Sequence, residues 1–235
     1  MLNAGSRIVN NWIYPIDKGY VLIDTGYESG FAHFKKQLAK MQIAPQQIQY
    51  IFYDDHAGYL NEILSGCSDI QMIMSDKALE RLYRGQNSFH GGCTTKIALF
   101  FCSLMKFVGK GKHLFPPIKQ EYSCRCIQVT KQNRKEMELL LQGKIIDTPG
   151  HTADSISLLL NDGSLFCGDA AMNGLPSLHR ITIWAEDKTA FLKSWETIIA
   201  HRPNLIYPGH GKPFGYDDLK TNLKRAKNMK LLPIY

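Results

Sequence analysis

No two cysteines in this 235-residue chain are spaced as C-x-x-C. The six cysteines, Cys67, Cys93, Cys102, Cys124, Cys126 and Cys167, are scattered, and Cys124 and Cys126 are too close to bridge each other easily. That excludes a zinc knuckle and a disulfide framework, and leaves reduced, structural thiols as the expectation. No apolar run approaches the ~20 residues that span a bilayer. The opening residues, Met1 to Arg7, lack the charged-then-apolar order of a signal peptide, so the expected compartment is the cytoplasm with no membrane partner. There is no G-x-S-x-G elbow for a serine nucleophile and no recognised nucleic-acid-binding motif.

Acidic residues are scarce in one place. From Lys106 to Lys135 the chain carries Lys106, Lys110, Lys112, Lys119, Arg125, Lys131, Arg134 and Lys135 against a single acid, Glu121. That segment accounts for the whole net charge of +7, so the rest of the chain is balanced. The plain reading is a solvated lysine-rich surface. The functional reading is a basic rim that draws in an anionic small-molecule substrate, with nucleic acid the weaker partner. A hydrophobic fraction of 44% and a charged fraction of 21% are ordinary for a globular chain with an ample core.

Strand signals open the chain. Ile8 to Ile16 and Tyr20 to Asp24 are rich in β-branched and aromatic residues, with Asp17-Lys18-Gly19 as the turn between them. Phe31 to Met41 has helical spacing, Ile48 to Tyr53 reads as a strand, and Leu60, Ile63 and Leu64 mark a short helix. Ile70 to Met74 reads as a strand, and Asp76 is the expected N-cap of a helix over Ala78 to Tyr83. Residues 85–117 break this rhythm with an apolar, helical stretch from Ile97 to Val108, and read as an insertion. Short strands follow at Cys126 to Val129, Met137 to Leu141, Gly143 to Asp147, Ser155 to Leu160 and Leu165 to Cys167. A helix over Thr189 to Ala200, a strand at Leu205 to Tyr207 and a helix over Tyr216 to Met229 close the pattern. With no linker and no repeat, residues 1–235 are expected to form one α/β domain of layered type.

Four Gly-containing segments at strand ends carry ligand-type residues: Asp55-His56-Ala57-Gly58, Pro149-Gly150-His151, Gly168-Asp169 and Gly209-His210. Loops on one edge of a sheet converge, and two carboxylates with three imidazoles suit one divalent metal, zinc first, with iron or manganese as alternatives. Any one of these histidines alone would read as structural. His33, His179 and His201 carry no motif and read as structural, and His90 and His113 in the insertion read as surface or structural residues rather than replacement ligands.

The chain resembles the metallo-β-lactamase superfamily. The resemblance rests on Asn10-Asn11-Trp12-Ile13, Leu22-Ile23-Asp24-Thr25-Gly26, Asp55-His56-Ala57-Gly58, Thr148-Pro149-Gly150-His151, Phe166-Cys167-Gly168-Asp169 and Pro208-Gly209-His210, in the family's order. It implies an αββα four-layer sandwich and a metal-dependent hydrolase, with residues 85–117 capping the substrate. The family loop reads H-x-H-x-D-H; here its first two histidines are Ile51 and Tyr53. Ile51 has no donor atom, and Tyr53, with a phenol pKa of about 10, is a reluctant ligand. Site one thus keeps only His151. Site two, by the resemblance, takes Asp55, His56 and His210, with Asp169 bridging in dinuclear members.

A metal-bound water would then attack an ester, thioester, lactone or phosphodiester. Asp55 or Asp169 would orient it or accept its proton, His151 would serve as base or oxyanion donor, and Tyr53 would donate a proton to the leaving group. Asp24 would orient a ligand histidine, and Asp54 would face elsewhere. The alternative is a catalytically degenerate member that binds a ligand or partner without turnover.

Overall fold

A computed structural model of the chain describes residues 1–110 and 114–234; His113 and Lys112 lie outside the described residues. The first run of elements is β1 (Leu2–Asn3), β2 (Trp12–Ile16), β3 (Gly19–Ile23), α1 (Phe31–Lys40), β4 (Ile48–Tyr53), α2 (Leu60–Gly66), β5 (Gln71–Ser75) and α3 (Ala78–Arg84). Next come β6 (Gly92–Cys93), α4 (Lys96–Met105), β7 (Cys126–Val129), α5 (Arg134–Leu141), β8 (Gly143–Asp147), β9 (Ile156–Leu160) and β10 (Ser164–Gly168). The chain continues with β11 (Trp184–Ala185), α6 (Lys188–His201), β12 (Leu205–Pro208) and α7 (Asp217–Asn228). These elements group into two compact units, Met1–Gln86 with Phe115–Lys144, and Asn87–Leu114 with Ile145–Tyr235.

The first unit is a six-stranded sheet in the order β1-β2-β3-β4-β5-β7. Its first two pairings are antiparallel and the other three parallel. Because side chains alternate along a strand, one face of this sheet presents Leu22, Ile51, Tyr53, Met72 and Met74. These pack with Phe34 and Leu38 of α1, Leu60, Ile63 and Leu64 of α2, and Ala78 and Leu82 of α3. Ile51 and Tyr53, the two positions that replace the family's histidines, are therefore core residues, 0% and 1% exposed. Parallel order also puts the C-terminal ends of β3, β4 and β5 side by side, which brings the loops after Ile23, Tyr53 and Ser75 together.

The second unit holds a four-stranded sheet in the order β12-β10-β9-β8 and the short pair β11-β6. Leu165 and Cys167 of β10, Ile206 of β12, and Phe191, Trp195 and Ile198 of α6 form its core, with Leu219 and Ala226 of α7. Trp195 is fully buried, and its indole N–H donates to the Ala170 carbonyl at 2.8 Å, so the largest side chain of the core leaves no donor unmet. The inserted segment joins this unit: β6 pairs with β11, and α4 follows it.

Three expectations are corrected. Met137 to Leu141 lies in helix α5, not in a strand. None of its residues is β-branched, which favours helix, and the buried pair Met137 and Leu141 is spaced i, i+4 while Leu139 is exposed, which is a helical stripe rather than alternation. The strand expected from Ile8 begins only at Trp12, because side chains claim the backbone before it. Asn3 Oδ1 accepts from the N–H groups of Gly5 and Asn11, and Ser6 Oγ from those of Ile8 and Val9. Asp76 does not cap α3; the N-cap is Lys77, with no side-chain hydrogen bond. No helix among the described residues is long and apolar enough to cross a membrane.

Candidate functional site

In the first unit the loop after β4 is held from below by Asp24. This residue follows β3 and adopts a left-handed backbone conformation (φ 55°), which a short polar side chain tolerates. Its Oδ1 accepts from the backbone N–H of Asp54 at 2.7 Å and of Asp55 at 3.2 Å. Its Oδ2 lies 3.7 Å from Nδ1 of His56, one of the ligand-type histidines. Burial pushes the Asp24 carboxyl above its ordinary range, against the lowering pull of His56. Asp55 Oδ2 stands 3.9 Å from the same His56 nitrogen. The loop is closed by Thr25, whose N–H and hydroxyl both donate to the His56 carbonyl.

Sequence reasoning missed Arg81. It is buried on α3, and Nη1 donates to Asp55 Oδ1 at 3.0 Å while Nη2 donates to the Asp54 carbonyl at 3.0 Å. The guanidinium carbon also sits 5.6 Å from the centre of the Tyr53 ring. Arg81 therefore braces both residues ahead of His56. A signal was present: Ala78, Arg81 and Leu82 occupy one i, i+3, i+4 stripe, and a charge on an apolar stripe demands a buried counter-charge. Tyr53 is placed differently from a solvent-facing proton donor: its hydroxyl donates to the Asp55 carbonyl at 3.1 Å. Asp54 is buried too, with its main chain tied at both ends by Asp24 and Arg81.

In the second unit three predicted residues meet. Parallel pairing of β10 with β12 sets Gly168 opposite Pro208, so Asp169 and His210 emerge from neighbouring strand ends. Asp169 Oδ2 lies 3.4 Å from Nε2 of His210 and 3.8 Å from Nε2 of His151. Gly209 is needed here, since a Cβ would come within 2.6 Å of Asp169 Oδ1. Gly150 is needed as well: at φ 135° it packs on the backbone of Phe191, 2.3 Å from where a Cβ would lie, and so seats the His151 loop on the start of α6.

The tautomer of His151 follows from its partner. Nδ1 lies 2.8 Å from the Trp184 carbonyl, which can only accept, so Nδ1 carries the proton. In the neutral ring Nε2 is then the lone-pair nitrogen, and it is the one that faces Asp169. Thr182 Oγ1, 3.2 Å from Nδ1, stands beside the same bond, and Thr94 of the inserted segment donates to the Thr182 carbonyl. The insertion thus supports His151 from behind through Thr94 and the β6–β11 pair.

The second unit by itself passes a test for a divalent cation. A carboxylate oxygen and an imidazole nitrogen that share one tetrahedral ion at ~2.0–2.1 Å stand about 3.4 Å apart, which is the observed Asp169–His210 spacing. Asp169 Oδ1 is buried with no hydrogen-bond partner among the described residues, as an oxygen reserved for a ligand would be. Elsewhere, His33 contacts the Gly5 carbonyl, His179 contacts Arg225, and His90 is exposed.

The chain is similar to several known proteins. No family model matches it. A beta-lactamase-like protein 2 homolog of Drosophila melanogaster is 31% identical over 96 residues, covering 39% of this chain and 31% of that protein. The chain therefore matches less than a third of that relative's length. An archaeal metallo-β-lactamase superfamily protein from Sulfolobus tokodaii aligns over 93% of this chain and 80% of its own, with 17% identity and a TM-score of 0.59. A metallo-β-lactamase of Pseudomonas aeruginosa in a mono-zinc form aligns over 95% and 88%, with 16% identity and a TM-score of 0.60. These likenesses, spanning nearly the whole chain, show that it has the metallo-β-lactamase fold.

Proposed function

We propose that this protein is a metal-dependent hydrolase working through one divalent metal. The observation that carries the reading is Asp169, a buried carboxylate whose Oδ2 lies 3.4 Å from Nε2 of His210, the spacing of two ligands that share one ion. The reading adds Asp55 and His56 of the first unit to this set, as the superfamily pattern implies. Zinc fits the nitrogen and oxygen donors best, with iron or manganese as alternatives. One metal rather than two follows from Ile51 and Tyr53, which are spent on the core where site-one ligands would stand.

A cation held there would lower the pKa of water toward ~7 and so supply a nucleophile at neutral pH. The chain's own residues do the rest. His151, with Nδ1–H locked on Trp184, offers a lone pair on Nε2 that accepts a proton and later returns it. Asp169 orients the two imidazoles. Arg81 and Asp24 hold Asp55 in one position, and Tyr53 serves that positioning better than proton delivery, since its hydroxyl is bonded to the Asp55 carbonyl. The substrate is an ester, thioester, lactone or phosphodiester, anionic in keeping with the basic segment, and residues 85–117 act as its cap.

The test is metal content. Purified protein should carry about one metal per chain by elemental analysis, and His56→Ala and Asp169→Ala should each lose it. A panel of the four substrate classes then identifies the bond cleaved. Metal-free protein that gains no activity with zinc, iron or manganese would sink the hydrolase reading. The second reading, a ligand-binding member without turnover, would then stand; it is favoured by Arg81, which already neutralises Asp55 at 3.0 Å.

A further inference from the structure

The outer side of α4 is an exposed apolar face. The helix is seated in the second unit by Ala98, with Leu99 and Cys102 partly buried against Cys93, Trp184 and Leu232. Thr95 caps its start, its Oγ1 accepting from the Ala98 N–H at 3.0 Å. The opposite stripe, at helical spacing and running on into residues 106–110, is Ile97, Phe100, Phe101, Leu104, Phe107 and Val108. Phe100 is 73% exposed and Phe107 is 89% exposed. A helix apolar on all sides belongs in a core, and an exposed apolar patch of this kind marks an interaction surface.

Along the sequence, the charge of this segment is of one sign. Residues 85–120 contain five lysines, Lys96, Lys106, Lys110, Lys112 and Lys119, and no aspartate or glutamate. Lys96 and Lys106 are exposed at the two ends of the apolar stripe. A second copy of the chain would set the same lysines against each other, at a cost in repulsion. A nucleic acid would use the lysines and leave six apolar side chains in water. A surface with anionic headgroups over an acyl layer satisfies both halves at once: aromatic and aliphatic side chains enter the headgroup–acyl boundary, and lysines meet the phosphates.

We infer that α4 and the turn after it form a peripheral docking surface for an anionic lipid bilayer, with the stripe from Ile97 to Val108 as the inserted edge. The helix lies on the membrane rather than crossing it. The inference stands apart from the metal reading, since none of these residues is a proposed ligand.

The experiment is co-sedimentation of the full-length protein with vesicles of phosphatidylcholine alone and of an equal mixture with phosphatidylglycerol. Light scattering on the lipid-free protein gives its oligomeric state. The mixed vesicles should bind the protein, and neutral ones should bind it about tenfold less or weaker still. Phe100→Ser with Phe107→Ser, and separately Lys96→Gln with Lys106→Gln, should each cut partition onto the mixed vesicles by about tenfold or more with unchanged melting. Leu139→Ser, at an exposed leucine of α5, is the control and should bind normally. No binding to mixed vesicles, or undiminished binding by the phenylalanine variant, would overturn the assignment. So would a dimer that the phenylalanine variant dissociates without any vesicle binding. Equal binding to both vesicle types would overturn its anionic character.

Discussion

Arg81 and Asp55 face each other inside the first unit, with side chains only 6% and 7% exposed. Removing one partner of a buried pair leaves the other charge uncompensated, at a cost of about 3–5 kcal/mol. Arg81→Met should therefore lower the free energy of unfolding by about that amount, measured by guanidinium denaturation of the metal-free protein. Arg81→Lys should lose less, since an ammonium keeps the charge but cannot reach both Asp55 and the Asp54 carbonyl as the guanidinium fork does. An unchanged midpoint in Arg81→Met would mean that the pair contributes nothing. At this scale the sequence named Asp55, His56, His151, Asp169 and His210 as ligand types through their glycine-flanked strand ends. It did not reveal Arg81, because an arginine on a seven-residue helix reads as solvated until its stripe is counted.

Among the elements, α6 matters most to the candidate site. Its N-cap Asp187 accepts from the N–H groups of Thr189 and Ala190 at 2.7 and 3.0 Å, and the N–H groups of Glu186 and Asp187 reach the Gly150 carbonyl. Ser194 Oγ, further along the helix, donates to the Pro149 carbonyl at 2.7 Å. The start of this helix is thus bonded to the loop that presents His151. Asp187→Ala should destabilise the protein by about 1 kcal/mol in a denaturant titration, while Asp187→Asn, an equally good cap, should stay near wild type. Equal losses in both would indicate that something other than the cap is at work. The spans of α1, β4, β7, β8 and α6 were legible to within a residue or so, because each is bounded by turn residues and keeps a single period. α5 was not: its leucine run satisfies periods of two and of 3.6 over so few residues that burial, not pattern, decided.

For the whole molecule, two buried phenols set an alkaline limit. The Tyr14 hydroxyl donates to the Leu141 carbonyl and the Tyr59 hydroxyl to Asn11 Oδ1, each at 2.7 Å. Burial pushes both pKa values well above the usual value of about 10. The folded chain keeps these protons where the unfolded chain releases them, so their contribution is fully present below pH ~10 and declines as pH rises beyond it. Thermal melts at rising pH should hold steady to about pH 10 and then drop. Tyrosine ionisation, followed by ultraviolet absorbance, should include these two residues only as the protein unfolds, and Tyr14→Phe with Tyr59→Phe should flatten the drop. A melting temperature equal at pH 8 and pH 11 would refute this. Sequence alone determined the fold class, the strand-end loops and the identity of the ligand-type residues, since each is written in short-range periodicity, turn chemistry and motif order. Only the tertiary structure decided that Arg81 pairs with Asp55 across 26 residues and that Trp184 sets the tautomer of His151 across 33. It also decided that Ile51 and Tyr53 belong to the core and that the outer stripe of α4 is left bare. Those outcomes depend on which distant side chains share a space, and no local pattern encodes that.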